Sequence, residues 1–149
     1  MGQKGKICLI GVGNILRCDD GIGAYICNQI EHLGLAGVDC LIVQQLQVEL
    51  VEDILDYQLV IIADASLSDS EVDLSPLNQF EAGLASSHQI DAGMLFSVAK
   101  NIYQKELNIY ICAVKGNDFS IGDTIKTAAL ASANTSVELI RNFIASASY

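Results

Sequence analysis

The chain has 149 residues, half of them apolar, and a formal net charge of −10. Its length suits a single domain, here expected to span residues 1–149, with enough apolar residues for a buried core. The negative charge argues against nucleic acid or an anionic membrane as a partner, because both would repel it. No apolar run approaches the ~20 residues that span a bilayer, and no signal peptide is recognisable, so we expect a cytoplasmic protein.

Five cysteines are present, and none belongs to a Cys-x-x-Cys pair. An odd number without a pairing pattern favours reduced thiols in a cytoplasm. Cys8, Cys40 and Cys112 lie in apolar runs, where a thiol behaves as a small hydrophobic group. Cys18 lies beside two acids, whose negative charge disfavours a reactive thiolate.

Strand-like and helix-like patterns alternate along the chain. The predicted strands cover residues 6–11, 38–44, 58–63 and 107–114, and residues 72–74 are compatible with a short edge strand. The predicted helices cover residues 20–33, 49–55, 89–103 and 127–145, whereas residues 65–87 are mostly loop. This order predicts a single-domain α/β fold with a mostly parallel twisted sheet of about five strands and helices on both faces.

The order of the first three strands predicts where a ligand would bind. If the second and third strands lie on opposite sides of the first, the first and third strands flank the topological switch point. Ligands of such sheets bind beyond the carboxyl ends of the strands at that point. Residues that directly follow the first and third strands are therefore the candidates for a site.

The first of these positions is a glycine-rich turn with two acids, residues 11–23, Gly-Val-Gly-Asn-Ile-Leu-Arg-Cys-Asp-Asp-Gly-Ile-Gly. It does not fit the nucleotide fingerprint Gly-x-Gly-x-x-Gly, because the glycine that follows Gly11 and Gly13 is Gly21. Acids also stand where phosphate would bind, so a site here should hold a cation or a proton. For Asp19, the simpler interpretation is a cap at the start of the following helix.

Asp20 and Asp64 follow the first and third strands, 44 positions apart. Alone, Asp64 could simply cap a loop after a very apolar strand. Two acids in one crevice are harder to explain by structure, because like charges repel unless a cation or proton lies between them. We therefore expect both to contribute to a site.

The two histidines have different sequence contexts. His32 lies near the end of the first helix, where a cation favours the helix dipole, and we assign it a structural role. His88 lies between the irregular segment and a helix start, where it could join Asp20 and Asp64. One imidazole and two carboxylates are plausible ligands for a borderline divalent ion. From the residues alone, a metal site and an ordinary loop histidine stay open.

At these positions the chain resembles the hydrogenase maturation endopeptidases, which process the large subunit of nickel–iron hydrogenases. The family opens with Gly-x-Gly-Asn-x-Leu-x-x-Asp-Asp/Glu-Gly/Ala-x-Gly, which residues 11–23 match. Three later features also match in order: Asp64-Ala65 after an apolar strand, Ser87-His88-Gln89, and Gly-x-x-Phe-x-x-Gly at residues 116–122.

The resemblance implies a protease that removes the C-terminal extension of the large-subunit precursor once nickel has been inserted. The family's metal-contacting residues correspond to Asp20, Asp64 and His88, which would also be the catalytic residues. The nickel is expected to arrive with the precursor, and no organic cofactor is expected. Many members have Glu at the position of Asp20, and residues 44–50 resemble the branch that serves soluble hydrogenases.

Two other functions are weighed against this one. A non-catalytic checkpoint protein would bind nickel or the precursor in the same cleft without cleaving it. A small nucleotide-binding module would share the fold, but the Asp19-Asp20 pair and the missing third glycine count against it.

Overall fold

A computed structural model describes residues 5–77 and 87–147, and of residues 87–90 it describes the backbone alone. The strands are β1 (Ile7–Val12), β2 (Val38–Val43), β3 (Leu59–Ser66), β4 (Val72–Pro76) and β5 (Ile109–Lys115). The helices are α1 (Ile22–Leu33), α2 (Leu50–Ile54), α3 (Ser87–Tyr103) and α4 (Thr127–Ser146), and a short 3-10 helix, Cys18–Gly21, precedes α1. Within the described ranges, no helix is long and apolar enough to cross a membrane.

The strands form one sheet in the order β2-β1-β3-β5-β4. Neighbouring strands are parallel except for β4, which runs antiparallel to β5 at the edge. Pro76 is tolerated in β4 because an edge strand has backbone positions that need no donor. The predicted α/β fold with a mostly parallel five-stranded sheet is confirmed. Because β2 and β3 lie on opposite sides of β1, the switch point lies between β1 and β3, as predicted.

Helices cover both faces of the sheet, and each face has its own core. One core packs α1 and α4 against alternate residues of the strands, among them Leu9 and Ile61. The other packs α2 and α3 against the residues between them, among them Ile10 and Ile62. Strand β3 is therefore apolar on both faces, as expected for a central strand of a parallel sheet.

The start of the first helix and the end of the third strand differ from the prediction. The helix predicted from residue 20 begins with a 3-10 turn, and regular α-helix starts at Ile22. Strand β3 continues past residue 63 to Ser66, because β5 pairs with it as far as Ser66↔Lys115. Asp64 is therefore a paired residue near the end of β3, whereas the sequence predicted that it would follow the strand. It still lies at the carboxyl edge of the sheet.

Candidate functional site

The site is built where α1 begins directly against the ends of β1 and β3. A Cβ atom on Gly23 would lie 2.6 Å from the carbonyl oxygen of Val12 and 2.7 Å from that of Ala63. A Cβ atom on Gly11 would lie 2.2 Å from the carbonyl oxygen of Gly23. Only glycine at both positions lets the helix come so close, which explains two of the glycines in the first motif.

Asp20 is half-buried and closes the loop that follows β1. Its Oδ2 accepts a hydrogen bond from the backbone N–H of Asn14 at 2.7 Å. Gly13 has a φ of +141° and packs against Asp20, so that a side chain there would meet the Asp20 carbonyl oxygen. The N–H of Gly13 donates to the carbonyl of Val43 at 3.1 Å, which ties the loop to β2.

Asp64 is a buried carboxylate near the carboxyl end of the central strand β3, with only 4 % of its surface exposed. It pairs with Val12 on β1 and with Ala113 on β5. Since side chains alternate along a strand, Asp64 faces the side of α2 and α3, as Ile62 does. Burying a carboxylate is costly, and acids in such surroundings are frequent at functional sites.

Asp20 and Asp64 both lie beside the carboxyl end of β1. Val12 is the pairing partner of Asp64, and Gly13, the next residue, packs against Asp20. Both acids are thus placed at the carboxyl edge of the sheet, whereas their role as site residues stays a prediction. Two carboxylates that share one crevice favour a cation or a proton between them. A separation of roughly 4–8 Å between their functional atoms and those of His88, close enough to share an ion, stays a prediction.

His88 is the second residue of α3, and its side chain lies outside the described residues. The strand before α3 is β4, which runs opposite to its neighbours and ends with Pro76 beside Tyr110 at the amino edge of the sheet. Residues 78–86, between β4 and α3 in the sequence, also lie outside the described part. Among the described side chains, no group of three His, Cys, Asp or Glu residues is placed to hold a metal ion. The convergence of His88 with the two acids stays a prediction.

Asp19 has a role that the sequence did not reveal. The helix-cap interpretation is wrong, because neither the 3-10 helix nor α1 has a side-chain cap hydrogen bond. The carboxylate of Asp19 is fully buried and accepts three backbone N–H bonds, from Asn117 and Lys126 at 2.7 Å and from Asp118 at 2.9 Å. Asp19 therefore anchors the loop that follows β5, about a hundred positions away.

That loop, residues 116–126, contains the Gly-x-x-Phe-x-x-Gly motif and packs against the first motif. The N–H of Gly122 donates to the carbonyl of Leu16, and the N–H of Cys18 donates to the carbonyl of Gly122, both at 2.9 Å. The Nε of Arg17 donates to the carbonyl of Phe119 at 3.1 Å. The signal that could have revealed this contact was the joint presence of the two glycine motifs.

His32 lies in the last turn of α1, exposed and just before Gly34, which ends the helix in the left-handed conformation. The helix runs away from the candidate site, so His32 lies at its far end. This agrees with the structural role predicted for it.

The five cysteines are free thiols. A side-chain hydrogen bond between Cys27 and Cys40 raises the pKa of Cys27, with burial as a second cause, and lowers the pKa of Cys40. Burial raises the pKa of Cys112 to about 12. Cys18 is buried with a φ of +47°, beneath the loop that Asp19 anchors. None of these thiols is placed as a nucleophile at the switch point.

A cavity of about 470 Å³ lies at the carboxyl end of β2, where Val43 accepts the hydrogen bond from Gly13. It is lined by Val43, Gln44, Gln45 and Gln47. Each glutamine amide can both donate and accept, as the peptide groups of a bound polypeptide require. A second cavity, of about 620 Å³, lies near Pro76 and Tyr110 at the opposite edge.

No protein-family model matches the chain, and no curated protein matches its sequence. Solved structures do match its fold. The hydrogenase maturating endopeptidase HybD from E. coli aligns with a TM-score of 0.72 and 20% identity, covering 91% of this chain and 89% of that one. The [NiFe] hydrogenase maturation protease HybD from Thermococcus kodakarensis aligns at 0.70 and 20%, covering 93% and 98%. HycI, a [NiFe] hydrogenase maturation protease from Thermococcus kodakarensis KOD1, aligns at 0.70 and 20%, covering 95% and 93%. The chain therefore has the fold of these proteins over nearly its whole length.

Proposed function

We propose that this protein is an endopeptidase that removes the C-terminal extension of a nickel–iron hydrogenase large-subunit precursor after nickel insertion. The observation that carries the proposal is the placement of Asp20 and Asp64 on adjoining ends of β1 and β3, in the crevice of the switch point. The likeness to structures named as hydrogenase maturation proteases, through most of the chain, supports it. The motif of residues 11–23 adds a third line of support, since its glycines build that crevice.

In this proposal nickel belongs to the substrate. Two carboxylates and, if His88 joins them, one imidazole leave coordination positions for the precursor to fill. The precursor's nickel then anchors the scissile bond beside the acids, and fixed orientation of this kind accelerates a reaction. The unloaded precursor lacks the anchor, which explains why cleavage would wait for nickel.

The acids supply the chemistry of hydrolysis. One carboxylate, Asp20 or Asp64, takes a proton from water as the water attacks the scissile carbonyl. The buried position of Asp64 keeps bulk water away and makes its charge more effective than in solvent. The proton then passes to the leaving amine, so the products are a free carboxylate on the subunit and a released peptide. We place this activity in the cytoplasm, where five free thiols stay reduced.

The direct test is incubation of the purified protein with full-length precursor, with and without nickel, followed by intact-mass measurement. The expected result is loss of one C-terminal peptide from the loaded precursor and no change in the unloaded one. Binding of loaded precursor without any mass loss would contradict the protease and favour a checkpoint protein. Equal binding of loaded and unloaded precursor would contradict the nickel anchor.

A further inference from the structure

Large apolar side chains are exposed in the loops at the carboxyl edge of the sheet. The loops after all four parallel strands carry at least one: Ile15 (58% exposed) and Leu16 (62%) after β1, Val48 (45%) after β2, Leu67 (82%) after β3 and Ile121 (92%) after β5. Single exposed apolar residues are ordinary, but a group around one crevice is typical of an interaction site. This edge is also the one that holds Asp20 and Asp64.

Three of these residues, Ile15, Leu16 and Ile121, belong to two loops whose backbones are hydrogen-bonded to each other. We call these three side chains the apolar rim. Leu16 and Gly122 are joined by a hydrogen bond between their backbones, which sets Ile121 beside the first motif. The loop of Ile121 is in turn held by the buried carboxylate of Asp19. The rim is therefore held in place before anything binds, which lowers the entropy cost of binding.

The apolar rim is also connected to the candidate acid. Asn14 starts the loop that carries Ile15 and Leu16, and its N–H donates to the carboxylate of Asp20. The N–H of Arg17 donates back to the carbonyl of Asn14 at 3.1 Å, closing the loop into a turn. A polypeptide that covers the rim would thus lie directly beside Asp20.

The charge of the protein limits what can occupy the rim. The chain has 18 acids and 8 basic residues, and the two loops of the rim carry Asp118 and Asp123 together with Arg17 and Lys126, which lies 3.6 Å from Asp118. The net charge of −10 over the whole chain disfavours an acidic peptide, a nucleic acid or an anionic lipid surface as the occupant. A segment with apolar side chains and neutral or positive charge is favoured, because it buries the rim and complements the acids.

We propose that the apolar rim docks an apolar, non-acidic segment of the precursor next to the scissile bond. The inference rests on the proposed function, since it takes the precursor as the occupant. It assigns to Ile15, Leu16 and Ile121 a role in substrate affinity and none in the chemical step. The rim supplies affinity for the polypeptide itself, separate from the anchor that nickel provides.

The test compares Leu16→Gln, Ile121→Gln and the double variant with Ile102→Gln. Ile102 is a matched control, because it is 66% exposed on α3, outside the carboxyl-edge loops. Dissociation constants for nickel-loaded full-length precursor and steady-state cleavage rates are measured for each. Each rim variant should raise Kd and KM about tenfold and the double variant more, with kcat within about twofold of wild type, because burial of such a side chain is lost. The control should match the wild type.

Each result decides one proposal separately from the other. If the wild type cleaves and the double variant has unchanged Kd and KM, the rim proposal is wrong and the protease stands. If the wild type binds precursor without cleaving it, the protease is wrong, and the Kd comparison still decides the rim. If it neither binds nor cleaves, both are wrong. A wild-type dimer on gel filtration that Ile121→Gln converts to monomer would also overturn the proposal, because a second copy would then occupy the rim.

Discussion

Asp19 and Asp20 are neighbours in the chain, but they serve two different regions of the molecule. Asp19 is buried where the loop of residues 116–126 covers the first motif, here called the closed side. Three N–H groups of that loop donate to its carboxylate. Asp20 lies at the carboxyl end of β1, here called the open side, and its carboxylate accepts a hydrogen bond from Asn14 of its own loop. Asp19 is therefore structural, whereas Asp20 is a candidate for chemistry. The fold brings three backbone donors to the carboxylate of Asp19 and only one of the described hydrogen bonds to that of Asp20.

The sharpest test of this contrast is Asp64→Asn on the open side. The variant keeps the shape of the side chain and removes the charge that the proposed function assigns to a ligand or base, so cleavage should fall about a thousandfold. The free energy of unfolding should stay the same or rise slightly, because repulsion from Asp20 is relieved. Cleavage is followed by intact mass and stability by urea unfolding.

The same variant should also lose the preference for loaded precursor, because an amide is a far poorer metal ligand than a carboxylate. A pull-down of loaded and unloaded precursor by both proteins checks this. Normal cleavage by Asp64→Asn would show that Asp64 is not part of the site.

A substitution of Asp19, on the closed side, should lower the free energy of unfolding more than the cleavage rate, the opposite of Asp64→Asn. Asp19→Ala leaves three N–H groups without their acceptor, so the free energy of unfolding should fall by about 3 kcal/mol. Cleavage per folded molecule should fall much less than in Asp64→Asn. Urea unfolding gives the stability, and activity is measured well below the unfolding midpoint.

Asp19→Asn is the matched variant, since its amide keeps one accepting oxygen and should cost less than Asp19→Ala. Equal and small losses for both would show that the loop of residues 116–126 does not depend on this anchor.

A smaller effect tests how tightly the closed side is packed. An added methyl on Gly122 would lie 2.8 Å from the Sγ of Cys18, so Gly122→Ala should destabilise the protein by about 1–2 kcal/mol through overpacking. Cys18→Ala removes that sulfur, and the double variant should therefore recover most of the loss. A double-mutant cycle of unfolding free energies measures the coupling. Additive effects would place the cost of Gly122→Ala elsewhere than at Cys18.

The sequence predicted the open side better than the closed side. Hydrophobic periodicity defined the strands, and a parallel sheet requires residues at strand ends such as Asp20 and Asp64 to share an edge. Asp19 could not be assigned in this way, because its donors come from residues about a hundred positions away whose backbone path no local pattern specifies. The antiparallel direction of β4 was also not predicted. The boundary of β3 shifted because pairing with β5, a tertiary effect, extends the strand.

His32 gives the smallest expected effect, and its comparison with His88 completes the contrast. His32 is exposed in the last turn of α1, at the end of the helix far from β1 and β3, where the sequence predicts only a helix-end role for it. His32→Ala should therefore leave cleavage unchanged and lower stability by at most about 0.5 kcal/mol. His88→Ala is the matched variant, and it should lose about a hundredfold or more of cleavage if His88 joins the two acids. Rates on loaded precursor and urea unfolding are measured for both variants. Loss of cleavage in His32→Ala with an intact fold would reverse the two assignments, whereas full activity in His88→Ala would reduce the site to its two carboxylates.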